Sequence, residues 1–152
     1  MNINVKKVLP KDPSFFNGHQ AIRIATGLFL LLTIVRSCIH LFSSDGGANS
    51  IAGIDISVEG GDNIVAIFHQ WGAIQLILAL FLLLLLLRYP GFTPLILLTL
   101  ALDPIMRAVA GQIKPVITEG TPPGESLNWI AFYLLAALFA ASIIEHGSKK
   151  AQ

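Results

Sequence analysis

Charge is what this sequence has least of. Only 12% of its 152 residues are Asp, Glu, Lys or Arg, against roughly 25% in an average soluble domain. So little charge cannot cover a water-facing surface, and composition alone argues against a soluble globule. Ten basic and nine acidic residues leave a net charge of +1. No basic stripe stands ready to meet phosphates, which argues against a nucleic-acid partner. Cysteine is reduced to Cys38, so an intramolecular disulfide, a CxxC redox centre and a cysteine-based zinc site are excluded too. A serine-histidine-acid order, a glycine-rich phosphate loop, an HExxH pair, EF-hand spacing and an internal repeat are also missing.

What remains is apolar: 54% of residues are hydrophobic and the mean hydropathy is +0.71. A helix needs about 20 apolar residues to cross a hydrocarbon core of roughly 30 Å. Four stretches meet that length, at about 19–42, 64–87, 92–113 and 127–144. Breakers separate them: Asn17-Gly18, Asp45-Gly46-Gly47, Tyr89-Pro90-Gly91, Pro122-Pro123-Gly124 and Gly147. The basic start suits a cleaved leader, but the first apolar stretch is too long for one and is interrupted by Arg36 and His40. The expectation is an all-α membrane protein, a single antiparallel four-transmembrane-helix bundle. Pro90-Gly91 turns spans two and three into a hairpin. In the loop 43–63, Ile54, Ile56 and Val58 alternate with Asp55, Ser57 and Glu59, which predicts a small strand across the bundle mouth.

Basic residues set the orientation. With the N-terminal segment 1–18 in the cytoplasm, Lys6, Lys7, Lys11, Arg23, Arg88, Lys149 and Lys150 all fall inside and only Lys114 falls outside. Both termini are then cytoplasmic. Helices in lipid associate through small residues and hydrogen bonds rather than hydrophobicity. Ala21, Ala25 and Gly27 in span one, and Ala136, Ala137, Ala140 and Ala141 in span four, offer such surfaces. Residues 82–87 have no polar face and are expected to meet lipid. Trp71, Trp129, Tyr133 and Tyr89 fit an interfacial aromatic belt.

The functional signal lies in polar residues at membrane depth, where each costs several kcal/mol unless paired or hydrated. Counting along each span puts Arg36 and His40, then His69, Gln70 and Gln75, then Asn128 and Tyr133 in the outer half, with Asp103 near the middle of span three and Arg107 one turn closer to the outside. The inner half is almost purely apolar. Arg36 and His40 share a helix face by their spacing, as do Asp103 and Arg107. Pro104 removes a backbone donor beside the acid. These placements predict a polar pocket built from Arg36, His40, His69, Gln70, Gln75, Asp103, Arg107 and Tyr133. Two arginines against one carboxylate leave surplus positive charge, which suits an anionic or carbonyl-bearing ligand or a lipid headgroup. No metal site is assigned, although His40, His69 and Asp103 are the residue types of a two-histidine, one-carboxylate centre. The same polar residues serve equally as interhelical glue.

The stretch FHQWGAIQLILALFLLLLLLRYPGFTPLILLTL at 68–100 resembles the central hairpin of DoxX-like four-helix membrane proteins. There a glycine-containing, leucine-rich helix ends in a basic residue before a short turn. MRAVAGQIKPVITEGTPP at 106–123 resembles the arginine-then-glycine-proline loop of a related bacterial family of unknown function. His69-Gln70 stands where such families often carry an acidic residue. The resemblance implies a bacterial inner membrane and a role beside a quinone or a partner membrane subunit. Function is therefore expected to be the binding of a lipid, quinone or partner subunit. The alternatives are a small enzyme or quinone-linked subunit using Asp103 with His40 or His69, imidazole being a side chain suited to proton transfer, and a transporter if the chain forms a homo-oligomer. No cofactor is identified.

Overall fold

The computed structural model describes residues 2–145; Gly147, Lys149 and Lys150 lie outside the described residues. The described chain is helical: α1 (Gln20–Phe42), α2 (Gly61–Arg88), α3 (Thr93–Ile113), the single turn α4 (Pro123–Ser126) and α5 (Asn128–Ile143). Three of these helices are long and apolar enough to cross a membrane. At 1.5 Å per residue, the 16 residues of α5 reach about 24 Å, short of the roughly 30 Å hydrocarbon core.

Local chemistry explains the boundaries. His19 caps α1, its Nδ1 accepting the Ala21 N–H at 3.2 Å. After α1 the chain reverses through Gly46 and Gly47, at φ 61° and 75°, a region where only glycine is unstrained. Tyr89 ends α2 ahead of a 3-10 turn, Pro90–Phe92. Pro94 then sits in the first turn of α3, where its missing N–H costs nothing. Pro104 is inside α3, which continues unbroken.

The expected strand at the bundle mouth does not form. The Ile54 N–H bonds the Ala48 carbonyl and the Ile54 carbonyl accepts from the Asn49 side chain, at 2.9 and 3.0 Å. Asp55 folds back onto Ser57 instead of extending. A lone strand would leave its peptide groups unpaired, and these local bonds satisfy them better. The ladder that does form is a two-residue antiparallel pairing of Asn2 with Glu145 and Ile3 with Ile144.

α1 packs chiefly along α2, and α3 along α5. α2 and α3, although joined by the three-residue turn, touch only sparsely. The two pairs close on each other near the chain ends through Leu30, Leu82, Leu86, Ile96, Leu97 and Leu135. Residues 82–87 are thus not uniformly lipid-facing: Leu82 is 5% exposed and Leu84 60%. Leu82 and Leu86 share a helix face and turn it inward. The alanine stripes likewise contribute less than expected, since Ala21, Ala137 and Ala140 are exposed. The close approach is made by Gly72, where an added Cβ would stand 2.8 Å from the His40 Cβ and the Leu41 nitrogen.

The N-terminal segment folds under this packed end. Asn4 N–H bonds the Ile143 carbonyl at 3.0 Å, Lys7 Nζ the Ile144 carbonyl at 2.7 Å, and Gly91 N–H the Pro13 carbonyl at 2.8 Å. Both described chain ends therefore lie at one end of the molecule, the terminal end, and residues 43–60 lie at the other, the loop end. Large apolar side chains remain exposed along the helices, among them Ile77, Met106 and Ile130, far beyond what soluble monomers leave uncovered.

Candidate functional site

Towards the loop end the helix pairs stand apart, and a cavity of about 300 Å³ lies between them. Each helix supplies one face at helical spacing: Phe29, Thr33 and Arg36 from α1, Gln75, Ala79 and Leu82 from α2, Thr99, Asp103 and Arg107 from α3. Pro123, Gly124 and Leu127 complete the wall, with Ala131 of α5.

Two polar groupings face this space. Arg36 Nη2 donates to Gln75 Oε1 at 2.8 Å, and the guanidinium carbon lies 5.2 Å from the Trp71 ring centroid, within cation–π range. Arg36 thus has a neutral hydrogen-bond partner and an aromatic platform. Arg107 pairs with Asp103, Nη2 to Oδ2 at 3.1 Å, across one turn of α3. The side chains of this pair are 30% and 43% exposed. Arg107 Nη1 also donates to the Gly124 carbonyl at 3.1 Å, while its buried Nε has no partner. The Thr33 and Thr99 hydroxyls donate within their own helices, to Phe29 and Leu95, both at 3.0 Å.

Of the residues singled out by sequence, the structure brings Arg36, Gln75, Asp103 and Arg107 together around the cavity. His40, His69, Gln70 and Tyr133 are not among its lining residues. His40 is buried, with Nδ1 2.7 Å from the Gly46 carbonyl and its ring against Trp71 and Phe68. It shares a face with Arg36 but sits one turn nearer the loop, where α2 presses on it. His69 Nδ1 lies 2.9 Å from the Leu41 carbonyl. Since carbonyls only accept, both imidazoles carry a proton on Nδ1, and His69 caps one of the orphan carbonyls ending α1. Gln70 is exposed. Tyr133 is 67% exposed in a cluster with Trp129 and Phe132. Among the described residues no three His, Cys, Asp or Glu side chains are placed to hold a metal ion.

Spacing alone does not single out the Trp71 platform, although Trp71 and Gln75 are four apart and share a face. Nor does it show the role of Asn128, whose Nδ2 donates to the Pro104 carbonyl at 2.9 Å, tying α5 to α3. No protein-family model, curated protein or solved structure matches this chain.

Proposed function

We propose that the chain is a four-span integral membrane protein that binds an amphipathic ligand, a lipid or a quinone, in the cavity at its loop end. In this reading α5 is the fourth span, the terminal end faces the cytoplasm and the loop end faces outward. Support comes from the basic residues of the terminal end, Lys6, Lys7, Lys11, Arg23 and Arg88, against Lys114 alone in the segment 114–122. A bacterial inner membrane and kinship with DoxX-like proteins belong to the same reading. They are supported by the leucine-rich α2 and its short Pro90-Gly91 turn.

One observation carries the binding role. Arg36 presents a guanidinium to an apolar-walled cavity, and its hydrogen-bond partner there is a neutral amide. A purely structural arginine at that depth is best served by a carboxylate, yet Asp103 is paired with Arg107. A partner subunit's side chain reaching the cavity would meet the same group. The proton-transfer reading through Asp103 with His40 or His69 draws no support from the geometry, since both histidines hold backbone carbonyls elsewhere.

Native mass spectrometry of the chain, released from lipid nanodiscs, tests the proposal. A small molecule should remain bound to the wild type and be lost from Arg36→Leu. A wild type that releases bare, and that takes up neither lipid nor quinone on reconstitution, would overturn it.

A further inference from the structure

The charge and donor balance of the cavity narrow the ligand class. Three charged residues line it, Arg36, Arg107 and Asp103, and their formal sum is +1. Of its acceptors, Gln75 Oε1 takes Arg36, Asp103 Oδ2 takes Arg107, and the Gly124 carbonyl takes Arg107 as well. Donors are in surplus. A guanidinium has five N–H groups, of which Arg36 commits one to Gln75. A neutral head that donates hydrogen bonds, such as a sterol hydroxyl, would leave the formal +1 in place. A head that only accepts is matched. A neutral carbonyl would leave the +1 uncompensated among apolar walls, and a dianion would invert it. A single negative charge cancels it.

Access is from the side. Leu32 and Leu78 line the cavity and are 69% and 47% exposed, so this wall faces the surroundings of the helices rather than the loops. The loop end is bridged by hydrogen bonds and carries acidic residues. Arg107 holds Gly124, Glu119 N–H ties the second loop to the Gly53 carbonyl at 2.7 Å, and the acidic loop residues repel an anion arriving from water. A volume of about 300 Å³ is at the small end of ligand cavities, roughly 300–1,000 Å³. It fits a head and the start of a chain, with the remainder passing between Leu32 and Leu78 into lipid.

Resting on the binding role proposed above, we infer that the cavity captures a monoanionic, acyl-chain amphiphile, a fatty carboxylate or a phosphodiester lipid, which enters laterally from the bilayer and is held by Arg36. The guanidinium, oriented by Gln75 and the Trp71 face, is suited to two parallel bonds to an oxyanion. Asp103 tempers Arg107, so that the site carries one excess charge and not two.

The test uses the full chain in zwitterionic-lipid nanodiscs, with diazirine probes based on palmitate, phosphatidylglycerol and a ubiquinone analogue. Labelled peptides from α1, α2 and α3 report the cavity. One anionic probe should label it, and which one identifies the source, free carboxylate or lipid phosphodiester. Arg36→Gln should reduce that labelling about tenfold or more, the weight of a charge-assisted hydrogen bond, and leave the ubiquinone probe unaffected. In the wild type, independent of any variant's folding, the anionic competitor should displace the probe, while its uncharged twin (palmitate methyl ester or the phosphotriester) should not. If the uncharged twin competes equally, or the quinone probe labels the cavity as well as the anions, the inference is overturned and the binding role stands. If no probe labels the cavity, both fall.

Discussion

Gly72 of α2 lies so close to His40 of α1 that a Cβ added to the glycine would stand 2.8 Å from the His40 Cβ. The contact sets the distance between the two helices that carry Arg36 and Gln75. Gly72→Ala should therefore force α1 and α2 apart and cost about 1–3 kcal/mol, the usual penalty for overpacking. Gly27→Ala is the control, because a Cβ there meets only Leu86 Cδ2 at 3.6 Å. Its stability should change by no more than about 0.5 kcal/mol. Reversible unfolding in mixed micelles measures both, and equal effects would refute the close approach.

His69 is the second structural hinge of this pair, holding the Leu41 carbonyl at 2.9 Å. His69→Leu should lower stability by about 1 kcal/mol, the net worth of one hydrogen bond, with His69→Asn retaining part of it. Ligand retention in nanodiscs should be unchanged in either variant. Loss of the ligand with stability intact would instead place His69 in the binding machinery.

Much of this architecture is legible in the sequence. The apolar stretches and their breakers give α1, α2, α3 and α5 to within a few residues, because a hydrophobic run ended by Pro or Gly has few other solutions. The same counting puts Arg36, Gln75, Asp103 and Arg107 at one level. What counting along a helix cannot give is rotation about its axis and the choice of neighbour. His40 and Arg36 share a face, yet contact with Gly72 withdraws His40 from the cavity and leaves Arg36 in it. The alanine stripes look like helix-packing surfaces, but a single glycine makes the closest approach. The alternation at 54–59 reads as a strand only while the Asn49 side chain, which takes the Ile54 carbonyl, is left out of account.

The Arg36–Gln75 bond is open to a double-mutant cycle. Side-chain hydrogen bonds between membrane helices couple by about 0.6 kcal/mol on average and up to roughly 1.7. A charged donor over an aromatic face should place this pair in the upper half of that range. Arg36→Gln, Gln75→Leu and the double variant, unfolded under identical conditions, give the coupling. A value indistinguishable from zero would show that Gln75 does not orient the guanidinium.

Asp45 makes the loop end sensitive to acid. The backbone N–H groups of Ser50 and Gly47 donate to its carboxylate at 2.7 and 2.9 Å and hold its pKa well below the usual aspartate range, against a smaller opposing effect of burial. A carboxyl whose native pKa is lowered contributes stability that is fully present above its unfolded value, about 3.9. That contribution is lost as the pH falls through 3.9 towards the lower native value. Protonation removes the acceptor charge that gathers Gly47, Asn49 and Ser50, and with it the turn whose Gly46 carbonyl holds His40. Loop opening, followed by amide-exchange protection at Gly47 and Ser50 relative to a helix-core amide, should increase in the wild type below pH 4. Asp45→Asn should be less protected at pH 7 and should show no further change on acidification. Parallel acid responses in the two proteins would mean that the Asp45 charge does not hold the turn.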